Sequence, residues 1–127
     1  MAEQKKQVDL TKVNQLRPSN FGLSLKVKVV SSKLIGQSGR AQGRVAECLV
    51  GDETGIVVFT ARNDQVDIMR EGTTVLLTNA RVDLFKGSMR LALDRYGRVE
   101  VTTDADFSVQ TDNNLSLIEF ERIFVMV

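Results

Sequence analysis

The sequence predicts an all-β fold: a five-stranded Greek-key barrel with one short helix between the third and fourth strands and a C-terminal extension. Three observations predict it. Apolar and polar residues alternate at period two in successive runs. One stretch alone switches to helical spacing, and glycine-bearing turns separate the runs at short intervals. The chain has 127 residues, the size of one domain, and can bury a core without disulfides or metal.

Pro18, the single proline, marks where the barrel begins. In residues 23–30, Leu23, Leu25, Val27 and Val29 take one face and Ser24, Lys26 and Lys28 the other, which predicts the first strand. Residues 36–43 read as a loop with three glycines and Arg40. Residues 44–50 form the second strand, 51–55 a turn of polar residues flanked by glycines, and 56–60 the third strand. Residues 63–71 change period: Val66 and Met69 stand at i, i+3, Asn63 or Asp64 caps the start and Gly72 ends it. This is a helix of little more than two turns. Residues 73–85 form the fourth strand and Lys86-Gly87-Ser88 a tight turn. Residues 89–101 follow as a fifth strand or a strand pair, interrupted near Tyr96-Gly97.

Three strands, a helix, then two strands is the connectivity of the OB-fold, whose strand 2–3 face and neighbouring loops bind oligonucleotides or oligosaccharides. The expected organisation is a polar segment 1–15, the barrel 16–103 and an extension 104–127. Residues 104–114 are polar and read as loop. Residues 115–127 turn apolar and close on Ile123-Phe124-Val125-Met126-Val127. An exposed apolar end invites association. Packing on the barrel as an extra strand, homo-oligomer pairing with another copy, and a disordered end are the three alternatives.

Composition excludes several chemistries. With one cysteine and no histidine, the chain has neither a disulfide framework nor a Cys/His zinc site, and no Ser-His or Cys-His nucleophile pair. Cys48 lies in an apolar run and is expected to be a buried thiol. Gly36, Gly39 and Gly43 are spaced wrongly for a phosphate loop. Asp64 and Asp67 read as charges in the first helical turn rather than as a metal pair. No catalysis, cofactor or metal is expected. Residues 1–10 carry no apolar run of signal-peptide length, so an intracellular setting, nucleus or cytoplasm, is expected.

The net charge is +1, too low for a strongly cationic duplex binder. It is unevenly spread: residues 26–98 hold 12 Lys/Arg against 8 Asp/Glu, and residues 99–127 hold one against six. A mildly basic body suits weak anion binding. Single strands need cations along a groove for phosphates and flat groups on which bases stack. Lys26, Lys28, Arg81 and Arg90 stand at outward strand positions; Lys33, Arg40, Arg44, Arg62 and Lys86 stand in loops and turns. Arg81, Asp83 and Phe85 share one face of the fourth strand. With Val82 and Leu84 facing the core, Phe85 points outward beside Lys86; the alternative is that Phe85 caps the barrel end. Tyr96 is expected to be exposed and most other aromatics buried. Few aromatics imply modest affinity or stacking on Arg guanidinium planes.

Leu16-Arg17-Pro18, Gly51-Asp52-Glu53-Thr54-Gly55, Arg62-Asn63-Asp64, Glu71-Gly72 and above all Leu84-Phe85-Lys86-Gly87 occur in that order. Together they resemble the small OB-fold single-stranded-DNA-binding proteins, typified by the B subunit of the sensor-of-single-stranded-DNA complex. The longer runs 46–55, 59–66 and 85–91 look closer still to plant relatives of that family. The resemblance covers roughly residues 16 to 101. It implies base stacking at the end of strand three and along strands four and five. Phe85 matches one such aromatic position, Arg62 and Arg81 stand at two others, and Ala92 replaces a further one. The expected binding set is Lys26, Lys28, Arg44, Arg81, Lys86 and Arg90 for phosphates, with Phe85 and Arg62 for stacking. Single-stranded DNA, RNA and folded G-rich strands all remain open as ligands. The competing class is a protein-interaction module that keeps the barrel without the ligand. Salt separates the two, since a phosphate-driven complex weakens steeply as salt rises.

Overall fold

The computed structural model describes residues 9–37, 43–103 and 107–120. Strand β1 spans Leu23–Gln37 and changes partner midway. Its first half pairs antiparallel with β4 (Thr74–Phe85), from Leu23↔Ala80 to Lys28↔Thr74. Its second half pairs with β2 (Arg44–Asp52), from Lys28↔Gly51 to Gln37↔Arg44. Irregularities at Val29/Ser31 and Leu34/Gly36 bend it. A strand serving two neighbours is what wraps a sheet into a barrel.

The sequence places the end of this strand at residue 30, seven residues early. The bulge after Val29 inserts an extra residue and reverses which parity faces inward. The alternation that marks 23–29 therefore breaks while the pairing continues. The expected loop loses residues 36 and 37 to the strand; Arg40 lies outside the described residues.

β2 and β3 (Gly55–Arg62) form the expected hairpin, with the turn reduced to Glu53-Thr54. Asp52 Oδ1 accepts from the Thr54 amide at 2.8 Å and from Thr54 Oγ1 at 2.6 Å. Helix α1, Asp64–Ile68, has only five residues, about half the expected span. Asn63 is its cap residue but its side chain makes no capping bond. Gln65 Oε1 instead turns back to accept from the Arg62 amide at 2.9 Å. Gly72 (φ +88) does not end the helix; its amide donates to the Val29 carbonyl at 2.8 Å, leading the chain into β4. Met69, on the helical spacing, is fully buried beneath the barrel.

β4 turns into β5 (Ser88–Val101) through Lys86 (φ 53) and Gly87 (φ 85), two left-handed residues as a tight hairpin requires. β5 is one strand rather than a pair. The expected interruption is a local extrusion: pairing passes from Ala80↔Leu93 to Thr78↔Arg98, leaving residues 94–97 opposite Asn79.

The five strands close in the order β1-β2-β3-β5-β4. The closing β3–β5 contact is parallel and short, Val58↔Arg90 and Phe59↔Leu91. Residues 107–120 brace it. The Ile56 amide donates to the Asn113 carbonyl, Leu115 is buried, and the Phe120 amide donates to the Gly87 carbonyl. Ser116 Oγ accepts from the Val58 amide at 2.9 Å and donates to the Met89 carbonyl at 2.6 Å, joining β3 to β5. This described part of the extension packs on the barrel through a 3₁₀ turn, Leu115–Leu117, and two isolated bridges. Residues 121–127, and with them the apolar run Ile123 to Val127, lie outside the described residues.

Among the described residues the core is aliphatic with one ring, Phe59, packed with Leu16, Leu25, Leu77 and Leu91; Phe21 and Phe120 are exposed and Phe107 is half-buried, against the expectation that most aromatics lie in the core. Val13, in a 3₁₀ turn before Pro18, is also fully buried. Cys48 is a buried free thiol, as expected. Burial pushes its pKa up, opposed by Ser32 Oγ at 3.4 Å. Among the described residues no helix is long and apolar enough to cross a membrane.

Candidate nucleic-acid interface

Strand alternation turns Ala46, Cys48, Phe59 and Ala61 inward, and so presents Glu47, Thr60 and Arg62 on the outer face of β2 and β3. A groove of about 510 Å³ lies over that face. Its floor is Glu47, Thr60, Arg62 and Arg90. One wall is Ile35 and Val45 at the far end of β1–β2; the other is Asp83, Leu84 and Phe85 at the tip of β4–β5.

Phe85 is the last residue of β4 and is 51% exposed, so it does not cap the barrel end. The Arg90 guanidinium carbon lies 4.6 Å from the ring centroid and Lys86 Nζ lies at 5.4 Å. Both are within cation–π range. Arg90 Nη1 also donates to Glu47 Oε2 at 2.6 Å, so the guanidinium sits between a carboxylate and a ring. Val82 faces the core as expected, but Leu84 is 48% exposed and does not. Its cross-strand partner Met89 is 1% exposed, so on that face of the tip only the β4 side meets solvent.

Arg62 ends β3 on the groove floor, is exposed, and has no side-chain hydrogen bond or ion pair among the described residues. Arg81 is committed elsewhere. Its Nε donates to Asp83 Oδ1 at 3.0 Å, and its Nη1 donates to the Leu93 carbonyl at 3.0 Å and Asp94 Oδ1 at 3.1 Å. The hydrogen bond with Asp83 holds its pKa up against partial burial. Arg44 grips Asp67 with both nitrogens, at 2.8 and 2.9 Å, and so staples β2 to α1. The same contact holds the Asp67 carboxyl below its ordinary pKa.

The structure therefore gathers Arg62, Phe85 and Arg90 in one groove with Lys86 at its rim. Arg44 and Arg81 stand outside its lining. Lys26 and Lys28 lie on the β1 segment that pairs with β4, each beside Phe107 in a separate depression. Sequence reasoning set Asp83 on the outward face of β4 beside Phe85 but not in the binding set, and it missed Glu47 and the wall residue Ile35. Alternation within β2 could have turned Glu47 outward, but nothing local joins it to Arg90, 43 residues away. Ile35 was hidden by the early end assigned to β1. Among the described residues no three acidic or cysteine side chains converge as a metal site. The groove holds cations and an aromatic face, a chemistry suited to phosphates and flat rings.

Known proteins share this architecture. An uncharacterised protein of Arabidopsis thaliana is 48% identical over 126 residues, covering 90% of this chain and 82% of that protein. The single-stranded DNA binding protein Ssb of Saccharolobus solfataricus is 32% identical over 82 residues; the match covers 63% of this chain and 55% of the archaeal one. Among solved structures, a hypothetical protein of Arabidopsis thaliana superposes with a TM-score of 0.80 at 42% identity, covering 100% of this chain and 96% of that one. A replication protein A heterotrimer bound to single-stranded DNA superposes with a TM-score of 0.64 at 22% identity, over 80% of this chain and 27% of that one, a likeness of fold. The sequence family described as single-stranded DNA binding protein Ssb-like, OB fold, matches residues 16–101, and this chain belongs to it.

Proposed function

We propose that this chain binds single-stranded nucleic acid without catalysis, and that the strand lies in the groove beside Phe85. The observation that carries this reading is a half-exposed ring stacked under a guanidinium, in a groove floored by a second, uncommitted arginine. Phe85 and the Arg90 plane offer stacking surfaces; Arg62 and Lys86 offer phosphate contacts. Arg44 and Arg81 are held by their own ion pairs and Lys26 and Lys28 lie in separate depressions, so none of the four contacts the strand within the groove. A relative named for binding single-stranded DNA and a fold neighbour solved with such DNA support the ligand class. An intracellular setting, nucleus or cytoplasm, accompanies this reading.

Glu47 and Asp83 lower the local positive charge, so affinity is modest and salt-sensitive. Two phosphate contacts, from Arg62 and Lys86, predict a slope of log K against log salt of about −1.4, at about 0.7 per contact. The test is fluorescence anisotropy with labelled single-stranded DNA, RNA, a G-rich strand and a duplex, across a range of salt. Single strands are expected to bind better than duplex with that slope, and Phe85→Ala to weaken them about tenfold, the cost of one stacked base. No binding to any strand at low salt overturns the reading. Exposed Leu117 and Ile118 on the brace favour one further reading, a protein partner or second copy. Association there would persist in high salt.

A further inference from the structure

The β4–β5 ribbon carries a second feature outside the groove. Four residues, Asp94 to Gly97, extrude from β5 opposite the single residue Asn79. Three contacts build the extrusion. Asn79 adopts a left-handed backbone (φ 53) and its Nδ2 donates to the Tyr96 carbonyl at 3.3 Å. Gly97 has no room for a side chain: a Cβ would lie 2.8 Å from Leu93 Cβ and 3.0 Å from the Asn79 carbonyl oxygen. Arg81 ties down the near end through the Leu93 carbonyl and Asp94 Oδ1. At the tip, Tyr96 is 76% exposed with the Arg95 guanidinium carbon 5.4 Å from its ring centroid. Arg98, one residue beyond the tip, has a 66% exposed side chain, and its only ion pair among the described residues is a long contact to Glu100 at 3.7 Å.

An exposed aromatic is by itself ordinary. This one stands on a constrained platform and is flanked by two solvent-facing arginines. It is also continuous with the groove: Arg81 shares the outward face of Phe85 along β4 and reaches across to Asp94, two residues before Tyr96. Flat ring plus flanking cations is the pairing that holds a base and its phosphates.

We propose that the 94–97 extrusion is a second stacking station for single-stranded nucleic acid. A strand leaving the groove passes over Arg81, stacks one base on Tyr96, and places its flanking phosphates near Arg95 and Arg98. The inference rests on the groove reading above and extends the path along β5. By strand rise, about 3.3 Å per residue, Tyr96 lies up to about 20 Å beyond Arg90, so short oligonucleotides held in the groove do not reach it.

The sequence supplies its own probe. Tyr96 is the one tyrosine and the chain has no tryptophan, so intrinsic emission reports on this ring alone. The experiment titrates wild type, Tyr96→Ala and Phe85→Ala with oligothymidylates of four and fifteen nucleotides, following anisotropy for all three proteins and tyrosine emission for wild type and Phe85→Ala. The fifteen-mer is expected to quench Tyr96 emission, and Tyr96→Ala to weaken the fifteen-mer about tenfold while leaving the four-mer unchanged. Phe85→Ala should weaken both lengths. A fifteen-mer that binds wild type and Tyr96→Ala equally, with no quenching, overturns the second station and leaves the groove standing. Equal loss for both lengths in Tyr96→Ala overturns it too, because Tyr96 would then belong to the groove itself. Failure of wild type to bind either length overturns both readings together.

Discussion

Asp52→Ala is expected to lower stability by about 3 kcal/mol, read as a urea midpoint lower by about 2 M. Asp52 is 1% exposed and ties the 3₁₀ turn at Val13 to the β2–β3 hairpin. Its Oδ2 accepts from the Val13 amide at 3.0 Å, and its Oδ1 fixes the Glu53-Thr54 turn through the Thr54 amide and hydroxyl. Removing the carboxylate orphans a buried amide and loosens the turn that sets the β2–β3 register. Hydrogen bonds to a charged acceptor are worth about 1.5–3 kcal/mol each, and relief of the carboxylate's desolvation offsets part of their sum. The adjacent Lys12–Glu53 pair, at 2.7 Å but exposed, contributes under about 1 kcal/mol. A change below about 1 kcal/mol for Asp52→Ala would show that Val13 and the turn find other partners.

The double replacement Leu115→Ala, Ser116→Ala is expected to cost more, about 4 kcal/mol. Leu115 is 5% exposed, and truncating a buried leucine costs about 2–5 kcal/mol. Ser116 supplies one acceptor to Val58 and one donor to Met89 across a seam with only two paired residue positions of its own. Without that hydroxyl both backbone groups lose their partner at the weakest joint of the barrel. Ser116→Ala alone should account for about 2 kcal/mol of the total. Thermal unfolding and urea titration should agree on both values. A double variant as stable as wild type would mean that residues 107–120 merely lie against the barrel.

Leu25, Val27 and Val29 alternate with polar neighbours and are all buried, so the face and direction of β1 followed from period two. Its second half did not, because a bulge changes parity and alternation carries no record of which strand lies alongside. Asp52 was legible as a turn residue through Thr54, two positions away. Its bond to Val13 spans 39 positions and leaves no local trace. The same distinction divides the site. Phe85 and Lys86 at a tight turn are local and were found. Of the three carboxylates that occupy Arg81 and Arg90, two, Asp94 and Glu47, come from another strand, and they decide which cations remain available. Lys26 and Lys28 were rightly placed outward, but outward on a barrel is not one surface, and closure turns them away from Phe85.

The central claim is that the groove between the β1–β2 end and the β4–β5 tip is where a single strand binds. Its most direct test is titration of ¹⁵N-labelled protein with a short unlabelled single-stranded oligonucleotide, followed by backbone amide shifts. The account predicts the largest shifts at Glu47, Thr60, Arg62, Phe85 and Arg90. Shifts confined to Lys26, Lys28 and residues 107–111, or no shifts at saturating strand, would contradict it.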